Sequence, residues 1–153
     1  MIDSDMKKPK FTMLVAFGLG MMLVFGLVSG LFNAALTHVS DYRDLGEFAH
    51  KVLVVTIPIL SAAIGMVQGI LSENGKKAAE AGVITGGVGY VMSFLGLLVT
   101  LAAFSYENNA TDYINQSISG FWTLFAVFVF SSAIICTLSA LASYTAIKYM
   151  EDE

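Results

Sequence analysis

The run "FTMLVAFGLGMMLVFGLVSGLFNAALTHVS", Phe11 to Ser40, holds no Asp, Glu, Lys or Arg. It exceeds the roughly 18 apolar residues that mark a membrane-spanning helix. Three further uncharged runs follow, Val52–Ser72, Ala81–Tyr106 and Tyr113–Ile147. Barrel strands would alternate apolar and polar residues with period two, and "MMLVFGLV" and "FAVFVF" do not. The chain therefore reads as an all-α integral membrane protein. It is a single membrane domain over residues 1–153, a four-helix transmembrane bundle with helices at about 12–36, 52–71, 82–104 and 120–147.

Composition agrees. Hydrophobic residues make up 56% and charged residues 13%, against about 45–50% and about 25% in soluble domains. Mean hydropathy is +0.74. The net charge of −4 provides no basic stripe for nucleic acid. One cysteine, Cys136, excludes an intrachain disulfide and any multi-cysteine metal site. The apolar run after Lys7, Lys8 and Lys10 is too long for a secretory h-region of about 7–15 residues, so a retained first helix is expected.

Lysine and arginine set the expected orientation. With a cytoplasmic N-terminus, that side carries Lys7, Lys8, Lys10, Lys76, Lys77 and Lys148, and the far side only Arg43 and Lys51. Six against two in short segments predicts cytoplasmic N- and C-termini, in the cell membrane. The segment "YENNATDYINQS", Tyr106–Ser117, then becomes an exoplasmic loop. It carries two sequons, so Asn109 and Asn115 are glycosylation candidates. Tyr42, Tyr106, Tyr113 and Trp122 fall near the outer interface and Tyr144 and Tyr149 near the inner one, where amphipathic rings prefer to sit.

The halves resemble each other. "GLGMMLVFG" from Gly18 lies on "GVGYVMSFLG" from Gly87, pairing Gly20 with Gly89. "LSAAIG" from Leu60 lies on "FSSAII" from Phe130, pairing Ser61 with Ser131. The match suggests two parallel-repeat hairpins related by a pseudo-two-fold axis along the membrane normal.

Packing faces are visible as small-residue stripes: Gly26 and Gly30, Gly65 and Gly69, Gly82 and Gly86, each four apart, with Ser132, Cys136 and Ala140 in the last helix. Such stripes let helix backbones approach closely in lipid, within the chain or against a homo-oligomer or other membrane subunits. Pro58 is expected to kink the second helix. Gln68, near the inner end of that helix, is expected to hydrogen-bond across helices and not to meet Asn33, which lies at the other end. Tyr90, Ser93, Ser131 and Ser132 are expected to pack in the ordinary way and not to line a polar path.

No ionisable residue falls in the middle of a span, which argues against proton-coupled transport. Four spans and this length superficially resemble the duplicated proteolipid ring subunits of rotary ATPases. Those need a membrane carboxylate, which Tyr113–Ile147 lacks, so the resemblance does not hold. The cysteine signatures of claudins and tetraspanins are missing too. Between Thr37 and His50, Glu47-x-x-His50 is half of a di-iron bundle motif with no second half. His38 and His50 together would suit a metal or haem, but the simpler reading is a solvated interfacial segment with no cofactor. The expected role is a noncatalytic structural or accessory subunit in the lipid bilayer. The alternatives are a small oligomeric channel or transporter for an uncharged or weakly polar solute, and a redox or metal protein using His38 and His50.

Overall fold

A computed structural model of the chain describes the backbone of residues 9–37, 42–104 and 110–151, and the side chains of 9–32, 55–100, 102–103 and 124–151. Within these residues the protein is four helices and no strands: α1 (Phe11–Thr37), α2 (Tyr42–Leu71), α3 (Gly75–Phe104) and α4 (Ala110–Glu151). Three are long and apolar enough to cross a membrane, over Phe11–Phe32, Gly75–Thr100 and Leu124–Glu151, and the described apolar part of α2 is Val55–Leu71. The architecture is that of a four-helix membrane bundle.

The helices extend past the spans expected from charge. Charge ends a membrane span but does not end a helix, whose backbone bonds are local. α2 begins at Tyr42, ten residues before Val52, and α4 at Ala110, ten before Gly120. The segment read as an exoplasmic loop is thus helical from Ala110 onward, and Asn115 lies within α4. α2 continues through Pro58 as one helix.

The α2–α3 turn is built by side chains. At the end of α2 the Ser72 hydroxyl donates to the Gln68 carbonyl at 2.6 Å, and the Ser72 amide donates to the Gly69 carbonyl at 3.3 Å. Both satisfy carbonyls that the ending helix leaves without partners. Asn74 then caps α3, its Oδ1 accepting from the Lys77 amide at 2.8 Å, the geometry for which Asn is favoured at helix starts. Lys77 forms an ion pair with Glu73 across this cap. Three residues therefore separate the two helices.

Contacts fix the relative directions. Gly18 lies against Thr85, Gly26 against Ser93 and Gly30 against Thr100, so numbers rise together and α1 runs parallel to α3. Gly65 lies against Cys136 and Gly69 against Ala140, so α2 runs parallel to α4. Gly75 meets Tyr144, Gly82 meets Thr137 and Gly86 meets Ala133, so α3 and α4 are antiparallel. α3 is the central element, with 44% of its membrane-length window buried against 22% in α1 and 17% in α4.

The two hairpins are parallel, but their packing does not follow the expected two-fold axis. Such an axis would make α1–α2 equivalent to α3–α4. Instead α3 packs closely on α4, while α1 and α2 touch only sparsely among the described residues.

Candidate functional site

Buried polar side chains run along the length of the bundle, and the most connected of them is Gln68, near the Lys76 end. The stripe Ser61, Gly65, Gln68, Ser72 places one small or polar residue per turn on one face of α2. Gly65 and Gly69 bring that face against the α4 backbone, where a Cβ on either would run into the carbonyl of Cys136 or Ala140. Gln68 is fully buried between them.

From there Gln68 reaches all three other helices. Its Nε2 donates to the Leu14 carbonyl of α1 at 3.0 Å and to the Thr85 hydroxyl of α3 at 2.7 Å. Its Oε1 faces the Cys136 thiol of α4 at 3.8 Å. Both amide hydrogens are engaged, as a buried polar group requires. Gly18 supplies the room: a Cβ there would lie 2.6 Å from Thr85 Oγ1 and 2.7 Å from Gln68 Nε2.

Two turns along α2, the hydroxyls of Ser61 and Ser132 pair at 2.7 Å. On the α1–α3 seam, Ser93 donates to the Met22 carbonyl at 2.6 Å. Thr100 and Ser131 each return a hydroxyl bond to their own helix. Around Tyr90 the filling becomes aromatic. Tyr90 stands edge-on to Phe125 at 5.7 Å between ring centroids and stacked on Phe128 at 6.1 Å, arrangements that suit the ring quadrupole.

Each stripe glycine sits at a close helix contact. Besides Gly65 and Gly69, a Cβ on Gly26 would enter the Ser93 carbonyl and one on Gly30 the Thr100 hydroxyl. On Gly82 and Gly86 it would approach the Cα atoms of Thr137 and Ala133 to 2.7 and 2.5 Å. Sequence reasoning missed a second such face on α3, formed by Thr85, Gly89, Ser93, Gly96 and Thr100 and turned towards α1. Its signal was present, since small residues recur there every three or four positions, but hydroxyls interrupt the glycines and a glycine-only pattern skips it.

His38 and Asn109 lie outside the described residues. His50 and Asn115 lie in α2 and α4, with side chains outside them. Among the described residues no group of three His, Cys, Asp or Glu side chains is placed to hold a metal ion. The interior that is described offers an amide, hydroxyls and one buried thiol, all suited to holding helices together. Comparison with family models, with curated proteins and with solved structures gives no match to this chain.

The Gln68 cluster yields a paired expectation. Gly18→Ala should lower stability in detergent by about 1–3 kcal/mol, because the new methyl displaces the amide and the threonine together. Gly20→Ala, where nothing lies within 4 Å, should be neutral or gain up to about 1 kcal/mol of helix propensity. Melting of both variants checks this, and equal melting would remove Gly18 from the account.

Proposed function

We propose that this protein is a noncatalytic integral membrane component, a structural or accessory subunit that associates laterally with other membrane subunits. The observation that carries this reading is the engagement of the interior polar groups with one another. Gln68, Thr85, Cys136, Ser61, Ser132 and Ser93 meet partners on neighbouring helices, and backbones touch at the glycines between them. A conducting or substrate-binding bundle keeps polar groups turned to a cavity or a water path. Here they act as cement between helices.

The subunit sits in the cell membrane with both termini in the cytoplasm. Supporting this orientation, Lys10 precedes α1, Lys76 and Lys77 open α3 and Lys148 ends α4, and the helix directions bring all four to one end of the bundle. In a Cys136→Ala background, Asn109→Cys should label with an impermeant maleimide in intact cells and Lys76→Cys only after permeabilisation. The reverse pattern would invert the topology.

The function itself is tested by purification from native membranes followed by reconstitution. The subunit reading expects a polypeptide that copurifies in fixed proportion, and proteoliposomes that pass glycerol and urea no faster than empty vesicles. Solute flux above that background, with no copurifying chain, would replace this reading with a small oligomeric channel or transporter. A Soret band or stoichiometric metal lost in His38→Ala/His50→Ala would replace it with a redox role.

A further inference from the structure

Beside the tight α3–α4 contact lies a groove of about 260 Å³ lined by Val83, Phe130, Ala133, Ile134, Thr137 and Leu138. Nearby, Gly87 leaves space beside Ala133, since a Cβ on it would reach only ordinary contact, 4.0 Å from the Ala133 methyl. Its walls, Val83, Phe130, Ile134 and Leu138, are exposed apolar side chains. The Thr137 hydroxyl donates to the Ala133 carbonyl at 2.7 Å, so the lining presents hydrocarbon. The groove's walls are exposed on the bundle's outer face, and its hydrocarbon lining suits an acyl chain.

Two lysines reach one end of the groove, with the carboxylates of Glu80 and Glu151 in the same two helix ends. Lys76 lies seven residues before Val83, two turns away on the same face of α3, and Lys148 lies fourteen residues after Ile134 on the same face of α4. Because α3 and α4 are antiparallel, with Gly75 beside Tyr144 at 3.3 Å, both lysines arrive at the same end. The Lys76 side chain is 86% exposed and is held only loosely by Glu80 at 3.8 Å. Among the described residues no carboxylate pairs with Lys148. Basic side chains at the interfacial end of a groove between helices recognise anionic headgroups.

We propose that this face seats one anionic glycerophospholipid of the adjoining leaflet, its acyl chain in the groove and its phosphate between Lys76 and Lys148. Glu80, near Lys76, and Glu151, three residues from Lys148, oppose the phosphate and tune the site downward. The helix directions are enough to bring the lysines to the groove, so the proposal does not depend on the subunit reading or on which side faces the cytoplasm.

The test is native mass spectrometry of the detergent-purified protein titrated with phosphatidylglycerol or with phosphatidylcholine. The wild type should retain one phosphatidylglycerol in preference. Lys76→Gln and Lys148→Gln should each lower that preference about fivefold. Glu80→Gln should raise it, and Lys77→Gln, whose lysine pairs with Glu73, should leave it unchanged. Phe130→Ala removes an exposed wall and no interior packing, and should weaken retention of both lipids. Equal retention of the two lipids by the wild type would overturn the proposal. So would a loss in Lys77→Gln as large as in Lys76→Gln, or full retention in Phe130→Ala.

Discussion

Gly86→Leu should leave no monodisperse folded protein in mild detergent, a loss of about 3 kcal/mol or more. The cause is backbone and not side chain. A Cβ at this position already sits 2.5 Å from both the Ala133 Cα and the Ser132 carbonyl oxygen, and neither can rotate away as a flexible side chain would. To admit the leucine, α3 and α4 must separate, which loosens the contact that makes α3 central. Gly65→Leu should behave alike, since its Cβ would enter the Cys136 carbonyl. The contrast is Gly87→Ala, one residue further round α3. It meets nothing closer than 4.0 Å and should change stability by less than about 1 kcal/mol. Size-exclusion elution and thermal melting read all three. Wild-type behaviour in both leucine variants would mean that those glycines face lipid.

Gln68→Glu should be the most damaging isosteric change in the chain, and its cost should depend on pH. The new carboxylate would replace an amide that is fully buried and that donates to Leu14 and Thr85. No cation lies within the described span, so the ionised side chain of this variant would stand uncompensated, at a cost of about 3–5 kcal/mol. The folded state therefore favours the protonated acid, while the unfolded chain ionises near the usual glutamate value of about 4.3. The sign follows from linkage. The variant is most stable below about pH 4, where both states are protonated, and loses stability as pH rises above that value. Melting near pH 4.5 should be clearly higher than at pH 8, relative to wild type at each pH. Gln68→Leu should lose about 0.6 kcal/mol and no more than about 1.7 at every pH, the average and upper value for hydrogen bonds between membrane helices. A pH-independent Gln68→Glu variant would place residue 68 in contact with water.

Legibility from sequence follows from what each signal reports. The four helices could be read because a membrane span is a matter of missing charge, and the interruptions at Asp41–Lys51, Glu73–Glu80 and Glu107–Asp112 are clear. Their true ends could not be read from charge. The acidic and basic residues of Tyr42–Lys51 belong to α2, since helical bonds continue wherever the side chains are compatible. The start of α3 was readable in principle, from Asn74 and, after Gly75, the helix-forming "KKAAE".

The role of Gln68 as a bond between helices was readable from its polarity in an apolar helix. Its partners were not, because they depend on how three other helices are rotated. The Ser61 pair shows the limit most clearly. Aligning the halves makes Ser61 and Ser131 equivalent positions, which says nothing of contact, and the hydroxyl bond joins Ser61 to Ser132. One residue in a helix is a turn of about 100°, so which of the two adjacent serines faces α2 depends on how α4 is rotated.

That same pair tests the central claim, that α2 lies parallel to α4 with Ser61 facing Ser132 in a closed interior. In a Cys136→Ala background, Ser61→Cys/Ser132→Cys should oxidise rapidly in native membranes to an intrachain disulfide, seen as a mobility shift that reductant reverses. The matched Ser61→Cys/Ser131→Cys variant should not, because Ser131 bonds back to Val127 of its own helix. Rapid bridging of 61 with 132 alone is the result this account predicts. Bridging of 61 with 131 in preference, or of neither, would contradict it.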